Sequence, residues 1–431
     1  MAGSDTSVTP AARPPLSLLD LPAELLHRIV SFLPPWRPTP GSQEQDGVQI
    51  WLDVATTCRT LRRICIPVVF GSISLKQLRH PCFEAHVLPT YRTVLRRIDL
   101  DRGLATAFDS ASLALASTLS ALNLSELRIY LVTRMSEPAL EPSELVAQSS
   151  ALVGAVLPLC RRVKHFQFEQ HGLRRFLRPG QLVTILEHLV DVEVLELPRF
   201  LAFTHRGEEL ALAAAFVSLR GLRGLVMPLF AKDLVQAILN ATTDQAPWHL
   251  TSLCHLPISL TEVNFINLFA SSLRHLSIGG FVSFPREKGE LSPSTYTVIH
   301  RPFPHLISLQ VGYHFPALFA CNGDYLPSLQ TLSLTIWIDP PSRPGPQQAL
   351  PPEDEPLFPA AQLAIDLAGF LPSVPSLRRL EVRMASVRGG HAGDASPKRD
   401  RFTEEEEQEV RGVCERFRVE VYFRVGDTTQ W

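Results

Sequence analysis

The residues able to do chemistry are few and poorly placed for it. Cys58 and Cys65 stand seven apart, close enough to share a helix face, but no histidine accompanies them at ligand spacing, so a zinc site is not expected. Cys160, Cys254, Cys321 and Cys414 fall in or near apolar runs and read as core thiols, not nucleophiles. His165, Glu169 and His171 flank one short apolar unit and read as solvated. The Glu404–Glu407 run reads as the exposed start of a helix. The phosphate-binding, dinucleotide-binding, zinc-protease and nucleophile-elbow motifs are all missing. Catalytic, metal and cofactor residues are therefore none, and the chain is expected to be a non-catalytic binding protein.

Composition bounds the partners. Lys+Arg (41) nearly balances Asp+Glu (43), giving a net charge of -2, which argues against a concentrated basic face for nucleic acid or a membrane surface. A hydrophobic content of 45% is that of a folded chain. The polar, Pro-rich N-terminus does not read as a signal peptide, and no apolar run is long enough to span a bilayer. Seven scattered cysteines with no Cys-x-x-Cys pair read as reduced thiols, so the expected location is intracellular, cytoplasmic or nuclear. The sequons at Asn123 and Asn240 then carry no expected role.

The elements around these residues fall into two regions. Residues 1–15 read as a disordered tail and residues 16–75 as a helical module. In LDLPAELLHRIVSFLPP, Leu25, Ile29 and Leu33 recur every four residues beside Leu26 and Val30, one apolar stripe on a helix. Pro22 suits the first helical turn and Pro34-Pro35 ends the helix. Residues 35–49 read as a loop. A second helix is predicted over about Ile50–Ile64, apolar at Leu52, Val54, Ala55, Cys58, Leu61 and Ile64, with Pro67 breaking it before a short run ending at Phe70.

From residue 76 to 426 the pattern Leu-x-x-Leu-x-Leu, with aliphatic or aromatic substitutes, keeps returning. It occurs at Leu95-Ile98-Leu100, Leu124-Leu127-Ile129, Val163-Phe166-Phe168, Val192-Leu195-Leu197 and Leu222-Leu225-Met227. It continues at Leu273-Leu276-Ile278, Leu306-Leu309-Val311, Leu329-Leu332-Leu334 and Leu377-Leu380-Val382. Near residue 250, Leu250-Leu253-His255 is preferred over Leu260-Val263-Phe265 because it leaves a helix length before Leu273. The units lie roughly 23 to 48 residues apart, and helical stretches are predicted between them at 106–121, 143–160, 180–190, 207–218, 231–240, 259–270 and 361–371. Strand and helix in alternation imply an α/β fold: parallel strands with right-handed crossovers, stacked as a solenoid. The Pro-rich acidic 339–360 and the Gly-rich charged 386–401 read as projecting loops. A helix starting on a Thr403–Glu406 capping box and a last strand in RVEVYFRV close the array. The polar positions between the strand anchors vary without pattern and name no target-binding residues.

The first 75 or so residues resemble the F-box. Leu21-Pro22-Ala23-Glu24-Leu25-Leu26, Ile29 and Leu33 match the first half of that motif, and Leu52, Val54, Cys58 and Leu61 the second. Pro67 to Phe70 followed by SISL is similar to the tail of the motif in fungal F-box proteins that carry leucine-rich repeats. The loop between the helices is longer than usual in the family, and Leu61 stands where an aromatic is often seen. The resemblance implies a three-helix module followed by a leucine-rich-repeat-like solenoid. It also implies that Leu21, Pro22, Leu25, Leu26, Ile29, Leu33, Leu52, Val54, Cys58 and Leu61 dock a Skp-family adaptor, and through it a cullin scaffold, while the solenoid holds a protein target. The alternative is a leucine-rich-repeat scaffold with no link to a ligase, in which the helix pair only caps the array.

Overall fold

The computed structural model describes residues 21–30, 45–74, 82, 85–86, 88–102, 124–132, 142–171, 177–197, 206–227, 232–242, 248–254, 260–278, 301–312, 325–338, 360–386 and 402–426. The tail 1–15, Leu33, Pro34-Pro35, the helix over 106–121 and nearly all of the loops 339–360 and 386–401 lie outside the described residues. The chain divides into two compact units, Met1–Asp99 with Leu122–Leu124, and Leu100–Ala121 with Ser125–Trp431.

In the first unit, helix α1 spans Ala23–Val30, α2 Gln45–Thr57 and α3 Arg59–Val69. The Pro22 carbonyl opens α1 by accepting the N–H groups of Leu25 and Leu26 at 3.0 and 3.1 Å. The four-residue stripe then turns Leu26 and Val30 inward onto Trp51, Leu61, Ile64 and Cys65, with Leu21, Val54, Ala55, Cys58 and Phe70 packed around them. Burying such side chains stabilises by about 1.5–3 kcal/mol each.

Two expectations are corrected here. The segment taken as one helix from Ile50 to Ile64 is two, and the helical region begins at Gln45, inside the stretch read as a loop. The break falls at Cys58, whose backbone is extended (φ -157°, ψ 168°) and whose Sγ accepts the Leu61 N–H at 3.3 Å, so this thiol caps α3. Pro67 does not end the helix: α3 runs through it to Val69, and the Phe70 N–H donates to the Ile66 carbonyl. A proline lacks one helical donor, and with only two helical residues following Pro67 that loss is confined to the last turn.

After α3 the chain turns at Gly71, whose carbonyl accepts the N–H groups of Arg96 and Arg97 at 2.9 Å each. A Cβ at Gly71 would lie 2.0 Å from the Pro67 carbonyl oxygen, so only glycine fits this approach. The shared acceptor sets the register of β1 (Ser72–Ser74) on β2 (Arg97–Arg102), which pair in parallel with Ile73 opposite Ile98. Between them lies α4 (Leu88–Tyr91), whose Tyr91 ring stacks on Phe70 at 4.0 Å.

The second unit is α/β, with a parallel sheet whose strands follow one another in chain order. They are β3 (Glu126–Val132), β4 (His165–His171), β5 (Val194–Glu196), β6 (Gly224–Val226), β7 (Ser252–Cys254), β8 (His275–Ile278), β9 (Ser308–Gly312), β10 (Thr331–Ile338), β11 (Arg379–Ser386) and β12 (Glu420–Gly426). The helices are α5 (Pro142–Cys160), α6 (Pro179–His188), α7 (Arg206–Ser218), α8 (Lys232–Ala241), α9 (Leu260–Leu268), α10 (Ala360–Phe370) and α11 (Glu404–Arg416). Each of α5 to α8 packs on the next, as α10 does on α11.

The repeating leucines explain the sheet. One register line carries the middle residue of every repeat: Leu127, Phe166, Leu195, Leu225, Leu253, Leu276, Leu309, Leu332, Leu380 and Val421. Leu127 through Leu380 on this line are all buried. Strand periodicity of two puts every second residue on the opposite face. The preference for Leu250-Leu253 holds: β7 sits there, and Leu260 opens α9. Registration is reinforced at the starts of β4 to β11, where two N–H groups converge on one carbonyl of the preceding repeat. Glu193 and Val194 donate to Lys164, Arg223 and Gly224 to Glu193, Thr251 and Ser252 to Arg223, and Arg378 and Arg379 to Gln330.

Aromatic packing fills the middle of the core, where Trp248 lies between Phe216 and Phe269 at 6.4 and 6.0 Å. At the C-terminal end, Thr403 Oγ1 accepts the Glu406 N–H at 3.2 Å and Glu406 Oε2 accepts the Thr403 N–H at 2.8 Å. The capping box expected there is present.

Candidate functional site

The apolar residues expected to dock an adaptor differ in burial. Leu26 and Leu61 are 1% and 5% exposed and belong to the core of the first unit. Leu21, Val54 and Cys58 are half-buried against that core. Pro22 is exposed, and Leu25 and Ile29 stand 46% and 42% exposed one helical turn apart on α1. Leu52 lies within α2, and Leu33 is outside the described residues. The stripe seen in the sequence is therefore two faces of one helix. Leu26 and Val30 hold the unit together, while Leu25 and Ile29 face outward.

That outward pair is the feature that asks for a partner. Single exposed aliphatics are ordinary on a protein surface. Two at i and i+4, next to an exposed proline, make a contiguous ridge of the kind partner proteins bury. Ile50 of α2 and Val68 of α3 add exposed aliphatic side chains to the same unit.

The cysteines have the chemistry of core thiols. Burial pushes Cys160 and Cys414 up to about 12. It also pushes up Cys65, with Cys58 adding to the effect, and Cys254, where a hydrogen bond to Ser252 partly opposes it. Thiols held neutral are poor nucleophiles. His165 pairs through Nε2 with Glu196 Oε1 of the next strand at 2.8 Å. Among the described residues, no group of three or more His, Cys, Asp or Glu side chains is placed to hold a metal ion, and no helix is long and apolar enough to cross a membrane.

A cluster that the sequence reading did not single out lies on the polar face of β10–β12. Glu381, 8% exposed at its side chain, accepts from Arg379 Nη2 on Oε1 and from Arg383 Nη2 at 2.8 Å on Oε2. Arg424 Nη2 approaches Oε1 at 3.7 Å. The Arg379 guanidinium stacks 4.5 Å from the centre of the Tyr422 ring, whose hydroxyl donates to Glu420 at 2.9 Å. Burial alone pushes the Glu381 carboxyl up, but the hydrogen bonds and charges of Arg383, Arg424 and Arg379 outweigh it and hold the group below its ordinary value. Its sequence signal is the alternation Arg379-x-Glu381-x-Arg383 directly after Leu377, which a search for leucines passes over.

No family model matches the chain, and no curated protein matches it. The functional reading therefore rests on the residues and their placement.

Proposed function

We propose that the chain is the target-recognition subunit of an F-box type cullin–RING ubiquitin ligase, working inside the cell. In this reading α1 docks a Skp-family adaptor through Pro22, Leu25 and Ile29, while Leu26 and Leu61 shape that surface from within. The parallel-sheet unit, read as a leucine-rich-repeat-like right-handed solenoid, holds the target protein. Such a subunit needs no catalytic group of its own. It raises the effective concentration of target lysines near a charged conjugating enzyme.

The observation that carries the proposal is the outward Leu25–Ile29 pair on a helix whose opposite face already fills the core. A helix that served only as a cap would gain nothing from exposing both. Each side chain is already more than half buried, so covering the rest under a partner contributes about 1 kcal/mol per side chain to the interface. Amide hydrogen exchange of the full chain with and without a Skp-family adaptor tests this. Protection is expected over Ala23–Val30, and protection confined to the second unit, or none, contradicts it. In the latter case the scaffold reading takes its place.

A further inference from the structure

The polar face of strands β9–β12 combines two features that structural packing does not require. The first is a local excess of positive charge. Among the described groups there, Arg379, Arg383 and Arg424 face the carboxylates of Glu381 and Glu420, and Glu381 is the acid that all three arginines reach or approach. Arg383 and Arg424 also occupy directly opposed register positions on neighbouring parallel strands. Like charges opposite one another repel, and Glu381 alone lies close enough to both to offset that repulsion.

The second feature is unmet hydrogen bonding beside that charge. Register aligns Gln310, Ser333, Glu381 and Tyr422 across β9, β10, β11 and β12. Gln310 Nε2, Ser333 Oγ and Thr335 Oγ1 are buried with no hydrogen-bond partner, and Ser333 and Thr335 are 6% and 3% exposed. Alternation with the core leucines Leu332 and Leu334 puts both hydroxyls on the face opposite the core. Ser333 lies in register between Gln310 of β9 and Glu381 of β11, and Thr335 between Gly312 and Arg383. Buried donors without partners cost about 1–3 kcal/mol each, a cost recovered when something supplies acceptors.

We propose that this polar face is a docking site for an acidic peptide segment lying along the strand direction. Its carboxylates take the outward N–H groups of Arg424 and Arg379, and its backbone oxygens take the amide of Gln310 and the hydroxyls of Ser333 and Thr335 as the flanking side chains swing aside. Guanidinium forks match carboxylates in two-point geometry. Nucleic acid fits less well. Glu381 and Glu420 sit among the arginines, and Glu196 and Glu126 occupy the same face further along the sheet, so the described residues make no continuous positive track for a phosphate backbone. The inference deepens the target-binding half of the proposed function and rests on it, but not on the adaptor half.

The test is fluorescence anisotropy of the full chain with a labelled peptide of alternating glutamate and serine. Binding is expected, weakened about tenfold by Arg424→Gln and by Arg383→Gln. Arg220→Gln, an exposed residue in a distant turn, leaves it unchanged. Arg424 has the most exposed side chain of the cluster, so Arg424→Gln decides the matter if Arg383→Gln unfolds the chain. No binding, equal binding by all variants, or equal affinity for duplex DNA overturns the proposal. Adaptor binding measured on the same Arg424→Gln protein stays at the wild-type level, so a failure here is separable from a failure of the ligase reading.

Discussion

Glu381→Gln keeps the shape of the side chain and removes the one buried negative charge that holds three arginines. Hydrogen bonds to charged groups contribute about 1.5–3 kcal/mol net and neutral ones about 0.5–1.5. The amide keeps one acceptor oxygen, so one of the Arg379 and Arg383 contacts loses about 1 kcal/mol of charge assistance and the other faces the amide NH2 and loses its bond, while Arg424 at 3.7 Å adds a fraction. The three guanidinium side chains are 39%, 31% and 53% exposed, so water screens part of the repulsion left behind. The expected loss is about 2 kcal/mol, read as a lower urea midpoint, with faster amide exchange confined to β11 and β12. Because the folded carboxyl is held below its ordinary value, its contribution is complete above the unfolded value of about 4.3 and is lost as pH falls through the folded value. The gap between wild type and variant is therefore full near neutral pH and closes on acidification. A variant as stable as wild type at neutral pH, or a gap that widens in acid, refutes the assignment of Glu381 as the charge that holds this face.

Other perturbations follow from the same geometry. Gly71→Ala puts a Cβ 2.0 Å from the Pro67 carbonyl oxygen, where ordinary contact begins at 3.4 Å, so the turn must open. The first unit should lose helical circular dichroism or melt several degrees lower. Leu253→Ala, at a fully buried position in the middle of the register line, is expected to cost about 2–5 kcal/mol in urea unfolding. Thr403→Ala removes the acceptor for the Glu406 N–H, and about 1 kcal/mol of local stability with it, seen as faster exchange at the start of α11. Iodoacetamide at mildly alkaline pH is expected to label exposed Cys82 in the folded chain and to spare Cys160 and Cys414, whose thiols are buried and held neutral.

The second unit was legible because each repeat carries its own core residues at fixed offsets. Leucines at Leu195, Leu225 and Leu253 need no long-range information to announce a strand, and stacking aligns them in register. The helices over 143–160, 207–218 and 231–240 were placed within a residue for the same reason. The break at Cys58 was not legible. The apolar period runs unbroken from Trp51 to Ile64, and a sulfur capping a helix start leaves no mark in a hydrophobic pattern. Pro67 misled because its position near a helix end, where the missing N–H matters least, is a property of the fold. The split of the α1 stripe also depends on where α2 and α3 pack. Leu25 and Leu26 are adjacent and alike in sequence, yet one faces out and the other fills the core. The arginine cluster escaped notice because Arg379, Glu381 and Arg383 alternate with core residues that the leucine pattern singles out, and Arg424 joins them only by the pairing of β11 with β12.

The central claim is that the outward face of α1 docks a Skp-family adaptor. Isothermal titration of the folded full chain with that adaptor tests it, beside a Leu25→Asp, Ile29→Asp double variant that leaves Leu26 and Val30 in the core. The account predicts saturable binding by wild type and at least a hundredfold loss in the double variant, as two desolvated carboxylates replace two buried aliphatics. A wild-type chain that is folded and releases no binding heat at several temperatures, or a double variant that binds as tightly, contradicts it.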